Sequence, residues 1–401
     1  MKANETSLII ATLRKEILSG KYLAAANPFP SERGLARRFG VKRSVVAQAL
    51  QNLSAKGYLV RRRGKGTFLT KSAQRSGGPI GLIVPGVAYS DFFSALVSGV
   101  SRCAQKAERT LLFGDVSAKD AKARVDQAKR FAETIVREGV SGVIYQPLEF
   151  VTDTEACNRE ILSVFADAQV PVVLIDCDFV KPPRRSDYDL VSIDNESAGG
   201  CLTEHLLAAG ARNVHFLMHA DHSANMYRRV NGVMNALRMR GVASEGGVID
   251  ARPEDTAAIR RHVRRHRPDA IICGTDLTAA LLKNTLDGLG LRVPDDILLA
   301  GFDDTSTARV MTPQLTTIHQ PCDLIAETAF DRLLRRLVNP TLPPAEILLP
   351  APLVVRASTR RSAAVSARSA GRAASRSELH KHNRSVQHIP GVKQHGTVFD
   401  L

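Results

Sequence analysis

The chain has 401 residues, a formal net charge of +15 and an apolar fraction of 44%, which allows two or three globular domains. No run of 18 apolar residues occurs, and the N-terminal segment lacks the apolar core of a secretory signal. Both features predict a cytoplasmic protein with no membrane partner. The six cysteines are scattered without a Cys-x-x-Cys pair, which favours reduced thiols and argues against a disulfide framework or a zinc site. We therefore expect no cofactor and no metal.

The charge is distributed unevenly. Residues 1–75 contain 16 lysines and arginines against three acidic residues, and residues 360–401 contain eight against two. The region between them carries a small negative excess. A basic head on a mildly acidic body is typical of a DNA-binding module joined to a sensing domain, although a basic, solvated surface would give the same counts.

The head, residues 6–69, predicts three helices followed by a β-hairpin. Apolar residues recur at roughly helical spacing in the first helix: Leu8, Ile9, Leu13 and Ile17. Ser31 is placed to cap a short second helix, and Gly40 makes the turn before a third helix over residues 42–56. The hairpin that follows is a candidate wing.

The rest of the chain has a different pattern of apolar residues. After a polar, glycine-rich linker at residues 71–78, short apolar strands alternate with amphipathic helices. The predicted strands are 80–84, 111–113, 142–145, 172–175, 214–218, 270–273 and 298–302. This alternation predicts an α/β fold of parallel sheets with helices on both faces, divided by its length into two lobes. Residues 358–401 predict a disordered basic tail, either inert or a weak DNA contact.

Three stretches of the head have specific residues at specific spacing: FPSERGLA from Phe29, VKRSVVAQAL from Val41 and GKGTFL from Gly64. Together they resemble the GntR family of winged helix-turn-helix repressors, which makes residues 1–70 a DNA-binding domain. The resemblance and the geometry of groove reading predict DNA contacts from helix 2, helix 3 and the wing: Arg33, Lys42, Arg43, Ser44, Gln48, Arg62, Lys65, Gly66 and Thr67.

The head departs from the family pattern within the third helix. Lys42 stands where the family has a capping serine, and its side chain cannot accept hydrogen bonds from helix N–H groups. Ala47-Gln48 stands where the family commonly has Arg-Glu, and Gln48 is able to pair with adenine. The operator sequence of the family therefore does not carry over.

Three stretches of the body are also specific: SIDNE from Ser192, RVNG from Arg229 and the region from Pro294 to Ile318. Together they resemble the effector-binding domain of lactose-repressor (LacI) type regulators, a relative of periplasmic binding proteins. The resemblance covers residues 79–357 and implies a first lobe of about 79–187 and 319–338. The second lobe is then about 188–318 and 339–357.

The cleft between these lobes is the candidate ligand site. Asp176 and Asp303 each follow a predicted strand, and ligands of parallel sheets bind beyond the carboxyl ends of strands. Carboxylates and a bidentate arginine hold sugar hydroxyls, while an aromatic ring packs on the C–H face. The resemblance then implies five ligand contacts: Phe92, Asp176, Arg229, Thr275 and Asp303. Thr275 stands where an asparagine is common, which leaves the ligand undefined, and Asp276 is expected to cap a helix.

These features predict a homodimeric transcription repressor whose affinity for double-stranded operator DNA is controlled by a small, sugar-like effector. A carbohydrate-related enzyme is one alternative, but the sequence has no P-loop, no Gly-x-Gly-x-x-Gly after the first strand and no Gly-x-Ser-x-Gly. A GntR-type regulator with an aminotransferase body would need a longer chain. A freestanding solute-binding protein would have neither the basic head nor DNA affinity.

Overall fold

The computed structural model describes residues 2–18, 21–22, 29–62, 64–70, 78–87, 90–118, 120–218, 224–242 and 247–361. Most of the predicted linker and most of the predicted tail lie outside the described residues, so those two predictions are not tested. No helix among the described residues is both long and apolar enough to cross a membrane.

The head folds as a three-helix unit with an antiparallel hairpin. Its helices are α1 (Lys2–Leu18), α2 (Glu32–Phe39) and α3 (Arg43–Ala55), and its strands are β1 (Leu59–Arg62) and β2 (Gly66–Leu69). Ile9, Leu13 and Ile17 are buried in its core, whereas Leu8 is 68% exposed. Ser31 caps α2 by accepting a hydrogen bond from the Gly34 amide at 3.2 Å, while Lys42 begins α3 without a side-chain cap.

The first lobe is a six-stranded parallel sheet covered by helices. Its strands, in spatial order, are β13 (Glu346–Leu349), β7 (Asp189–Ile193), β6 (Val172–Ile175), β5 (Gly142–Tyr145), β3 (Ile80–Pro85) and β4 (Leu111–Val116). Its helices are α4 (Asp91–Lys106), α5 (Ala121–Arg137), α6 (Thr154–Asp167) and α12 (Cys322–Val338).

The second lobe repeats the architecture, with an antiparallel edge. Its strands, in spatial order, are β14 (Leu353–Val354), β12 (Thr316–His319), β11 (Leu298–Asp303), β10 (Ala270–Cys273), β8 (Val214–Met218) and β9 (Val248–Asp250). Its helices are α7 (Asn195–Ala208), α8 (Ala224–Met239), α9 (Thr256–His266), α10 (Asp276–Gly288) and α11 (Ser306–Val310). The predicted α/β class with parallel sheets is confirmed.

Strand pairing moves the predicted lobe boundaries. The sequence places residues 188–193 and 339–349 in the second lobe, but β7 pairs with β6 and β13 pairs with β7 in the first. Both are extended, half-apolar segments whose sequence does not reveal which strand they join. The predicted tail also begins too early, because Ser358 and Thr359 are buried against the second lobe, where the Ser358 hydroxyl donates to the Leu299 carbonyl at 2.6 Å.

Helix α12 connects the body to the head. It leaves the cleft after β12, runs along α4 and the first-lobe sheet, and ends against the head. Val338, 4% exposed, belongs to the apolar core of the head, and Leu334 packs against the same core. Arg14 of α1 lies 3.4 Å from Asp331 and donates to the Tyr58 hydroxyl at 2.9 Å. The last turns of α12 are therefore part of the head's packing.

Candidate DNA-binding surface and ligand cleft

The predicted DNA-contacting residues lie at the surface of the head. Arg33, Lys42, Arg43, Ser44 and Gln48 are exposed on α2 and α3. In the wing Arg62, Lys65 and Gly66 are exposed and Thr67 is half-buried. The guanidinium of Arg62 stacks on Phe68, 5.0 Å from the ring centroid, which fixes its stem while its donors stay accessible.

A carboxylate that sequence analysis did not select lies inside this basic surface. Glu32, in the first turn of α2, accepts a hydrogen bond from Arg43 at 3.0 Å and a second from Arg61 of the wing. One acidic residue thus joins α2, the start of α3 and the wing. The sequence hints at this role only by the scarcity of acidic residues, since Glu32 is one of three in the first 75 positions.

In the cleft, the side chain of Arg229 is buried and held on three sides. Its Nε donates to Asn195 Oδ1 at 2.8 Å and its Nη1 donates to the carbonyl of Gly274 at 2.5 Å. The guanidinium lies 4.3 Å from the ring centroid of Phe302. Its Nη2 lies 3.9 Å from Asp303 Oδ1, so this nitrogen faces the aspartate of the cleft.

The two predicted aspartates lie at the carboxyl ends of strands, Asp176 directly after β6 of the first lobe and Asp303 at the end of β11 of the second. Both have a positive φ angle. Asp176 has a φ of 67° and Asp303 a φ of 108°, in the positive-φ region that residues other than glycine rarely adopt. Asp176 Oδ1 accepts from Asn225 at 3.1 Å, and Asp303 Oδ1 accepts from Gln320 at 2.7 Å. Burial raises the pKa of both carboxyls, and Arg229 opposes the shift.

The other two predicted ligand residues are occupied by structural contacts. The ring of Phe92 is buried in the core of the first lobe and lies 5.1 Å from that of Phe93. The Thr275 hydroxyl caps α10 by accepting from the Thr278 amide at 3.1 Å. The cap of α10 is therefore Thr275 and not Asp276, which is fully buried and accepts from Thr317 at 2.6 Å. Ligand contact by Phe92 and Thr275 stays a prediction.

The structure adds four amides to the cleft that sequence analysis did not select: Asn195, Asn225, Gln146 and Gln320. Gln146 and Gln320 each come directly after a strand, β5 and β12. The rule that ligands bind beyond the carboxyl ends of parallel strands would have found these two. Asn195 and Asn225 lie in helices. Asn195 falls within the SIDNE stretch, whereas no comparable sequence signal marks Asn225.

Close packing of α7 on α8 brings Asn195 and Arg229 together. A Cβ atom at Gly232 would lie 2.0 Å from the Glu196 carbonyl oxygen, and one at Gly199 would lie 2.3 Å from the Arg229 carbonyl oxygen. Only glycine permits this approach of two helix backbones. Gly199 and Gly232 therefore position the cleft arginine.

Several polar contacts between described residues join the lobes across the cleft. Asn225 of α8 donates to Asp176 of the first lobe. Asp91, at the start of α4, accepts from the Ser306 amide at 2.9 Å, where α11 begins. Arg228 of α8 lies 2.7 Å from Glu346 of β13. Each contact depends on how far the lobes are closed.

Comparison with known proteins agrees with this division of the chain. The profile of the gntR family of bacterial regulatory proteins matches residues 6–69, and that of the periplasmic binding protein-like domain matches residues 203–359. The HTH-type transcriptional repressor PurR of Escherichia coli O1:K1 is 29% identical over 274 residues, which is 67% of this chain and 76% of PurR. The chain joins a GntR-type head to a LacI-type effector domain.

Solved structures give the same assignment for the body of this regulator. A LacI family transcriptional regulator from Mycobacterium smegmatis is 28% identical, with a TM-score of 0.57 over 70% of this chain and 98% of the other. The transcriptional regulator CelR in complex with cellobiose has a TM-score of 0.59 at 21% identity, over 82% of this chain and all of CelR. The protein is a DNA-binding transcription regulator with a ligand-binding domain.

Proposed function

We propose that this hybrid regulator is a repressor whose operator affinity is set by a sugar-like effector bound between its lobes. The observation that carries the proposal is the meeting of Arg229, Asp303 and Asp176 at the cleft, where polar contacts also join the lobes. Carboxylates and a fixed guanidinium are the groups that recognise polyol hydroxyls. A bound cellobiose in the related CelR supports a carbohydrate as the ligand class.

For operator recognition we propose that α3 enters the major groove and the hairpin lies beside it. Arg43 and Ser44 at the start of α3, together with Arg33 on α2, are then placed for base edges and phosphates. Lys65 and Gly66 at the tip of the wing approach the backbone or the minor groove. Two heads in a homodimer would require a two-fold symmetric operator.

Helix α12 provides the route between the two sites. At its first end Gln320 donates to the cleft residue Asp303, and Cys322 donates weakly to the Phe92 carbonyl. At its other end Val338 and Leu334 pack in the head. A rigid helix that contacts both sites transmits a shift of the cleft to the heads.

The test measures operator binding by fluorescence anisotropy, with operator candidates selected from a random duplex library. Binding should weaken steeply with salt, because several phosphate contacts release counterions, and Arg43→Ala should weaken it more than the exposed-surface control Arg130→Ala. A ligand found by thermal shift should change operator affinity at saturation. A ligand that binds and leaves operator affinity unchanged would contradict the proposal.

A further inference from the structure

Helix α9 of the second lobe presents a strongly basic surface. The segment Thr256–His266 contains four arginines, two histidines and no acidic residue, and a fifth arginine follows it. All five arginine side chains are exposed, and they have no hydrogen-bond or ion-pair partner among the described residues: Arg260, Arg261, Arg264, Arg265 and Arg267. On α6, by contrast, the exposed Arg159 pairs with Glu155 one turn away, at 2.8 Å.

The arginines of α9 repel one another. Arg260 and Arg264 lie one turn apart on the same side of the helix, as do Arg261 and Arg265, and like-charged pairs at this spacing weaken a helix. Together with Ala257 these four arginines surround an open depression of about 500 Å³. The residues that line it include no carboxylate, so a negatively charged ligand in the depression would remove the repulsion.

The opposite side of α9 is fixed to the second lobe. Ile259 is 1% exposed and belongs to the core that β8 and β9 also form. His262 Nε2 lies 2.8 Å from Nδ1 of His215, a buried residue of β8. Asp255 caps the first turn by accepting a hydrogen bond from the Ala258 amide at 3.0 Å. The apolar face is therefore covered, and the arginines project from a preformed support, which lowers the entropy cost of binding an extended ligand.

The residue types of α9 favour phosphate among the polyanions. An arginine offers a planar fork of donors that matches phosphate oxygens, and α9 contains no lysine. A helix that binds a membrane inserts its apolar face, but that face of α9 packs on the sheet. Protein interfaces centre on large apolar or aromatic anchors, and α9 has no exposed side chain of that kind among its described residues. A phosphate backbone requires neither feature.

We propose that α9 is a second DNA-binding surface, which holds the phosphate backbone of a duplex separate from the one at the head. The head packs on α12 at the first lobe, whereas α9 packs on the second-lobe sheet at its β8–β9 edge. The two surfaces belong to different lobes, so one regulator joins two DNA segments. Because phosphates carry no base identity, the second segment is bound without regard to sequence. This inference uses the DNA binding of the head and is independent of the effector.

Capture of a second duplex by DNA-bound protein tests this surface. The tightest-binding duplex from a random library is immobilised and saturated with the full chain, and a labelled duplex of unrelated sequence is then titrated over it at low salt. The parent should bind the labelled duplex. Arg261→Ala combined with Arg265→Ala should weaken this capture about tenfold or more and should reduce the slope of log affinity against log salt by about two, one for each lost phosphate contact.

Two further double variants serve as controls. Lys122→Ala combined with Arg130→Ala removes two exposed cations of α5 and should leave the capture unchanged. Arg261→Lys combined with Arg265→Lys keeps the charge, so it should keep the salt dependence while binding less tightly. The basic residues 360–401 are present in every protein, so any capture that they provide survives the change in α9.

Four results would each overturn the inference. The parent captures no second duplex; the α9 alanine pair captures it as tightly as the parent; the α5 control loses as much; or polyglutamate displaces the labelled duplex as well as inorganic polyphosphate does at equal charge. The substituted side chains are exposed, so each variant should melt like the parent. If the alanine pair lowers the melting temperature, Arg265→Ala alone decides, with a loss of about one in the salt slope.

Discussion

At the residue scale, Glu32 shows how one carboxylate reduces the positive charge that neighbouring arginines can offer to a ligand. Arg43 and Arg61 are both basic residues of the head, on the side proposed to face DNA, yet both are hydrogen bonded to this carboxylate. The free head thus presents less available positive charge than its composition indicates. Phosphates must compete with Glu32 for both guanidiniums.

Replacing Glu32 by glutamine should therefore strengthen DNA binding. The change removes a charge that repels phosphate and competes for two arginines, and exposed ion pairs of this kind are worth about 0.2–1 kcal/mol. We expect up to about fivefold tighter binding to nonspecific duplex at low salt, measured by anisotropy. The control is Glu5→Gln, an exposed residue of α1. Weaker binding by Glu32→Gln would mean that the carboxylate positions the arginines for contact.

Asp276 is a second residue whose surroundings decide its chemistry. It is fully buried, accepts from the Thr305 amide at 2.8 Å and from Thr317, and ties α10 to the loop after β11. Burial raises the pKa of Asp276 to about 7, and the nearby Asp303 carboxylate adds to the shift. The folded protein thus holds a proton that the unfolded chain releases near pH 4.

The consequence is a loss of stability as the pH rises from about 4 to 7, levelling off above the folded-state pKa. In Asp276→Asn this contribution is absent, so the melting temperature should fall less between pH 5 and pH 8 than in the parent. Differential scanning fluorimetry at both pH values measures the difference. Asp167→Asn, at an exposed position, should behave like the parent, and an unchanged slope in Asp276→Asn would contradict the assignment.

At the element scale, the crossing of α7 and α8 fixes the geometry of the cleft. Two helices approach closely enough for backbone contact at Gly199 and Gly232, and this contact sets Arg229 against Asn195. Gly200, one residue from Gly199, has more space, because a Cβ there would lie 3.7 Å from its nearest neighbour across the crossing. The same helix therefore offers a test site and a matched control.

Gly232→Ala should push α8 away from α7, and the displaced Arg229 should lose its effector contacts. We expect destabilisation by a few kcal/mol, since backbone must move, together with at least tenfold weaker effector binding. Gly200→Ala should be tolerated or slightly stabilising, because alanine favours a helix by up to about 1 kcal/mol over glycine. Unfolding by urea and ligand titration measure both effects. Equal behaviour of the two variants would show that the crossing is not the constraint.

At the scale of the whole molecule, the head and the cleft share α12. The valine at its end is buried in the head and not in the first-lobe core, so the helix is packed by two different domains. This arrangement ties the position of the head to the body through apolar contact and the Arg14–Asp331 ion pair. If ligand control runs through α12 as proposed, we expect it to require this contact.

Val338→Ala should reduce the factor by which the effector changes operator affinity, by about two- to tenfold, and leave effector affinity unchanged. The smaller side chain loosens the head from α12, at a cost of about 1–3 kcal/mol in packing. The control is Val140→Ala, which removes the same atoms from a buried first-lobe valine outside the head. If both variants keep the full factor, coupling runs by another route.

The sequence by itself determined the order of elements and the parallel sheets of the two lobes, because apolar periodicity and capping are local properties. The nature of the head followed from its resemblance to the GntR family. Strand ends are readable along the chain, so the sequence also indicated Asp176 and Asp303 as cleft candidates. Arg229 was implied by the resemblance to LacI-type regulators. Only the tertiary structure decided that β7 and β13 join the first sheet and that Phe92 lies in the core. The same holds for Glu32 between two arginines and for the two glutamines that donate to the cleft aspartates. These depend on contacts between residues far apart in sequence, and a local pattern records that a side chain is buried without recording its partner.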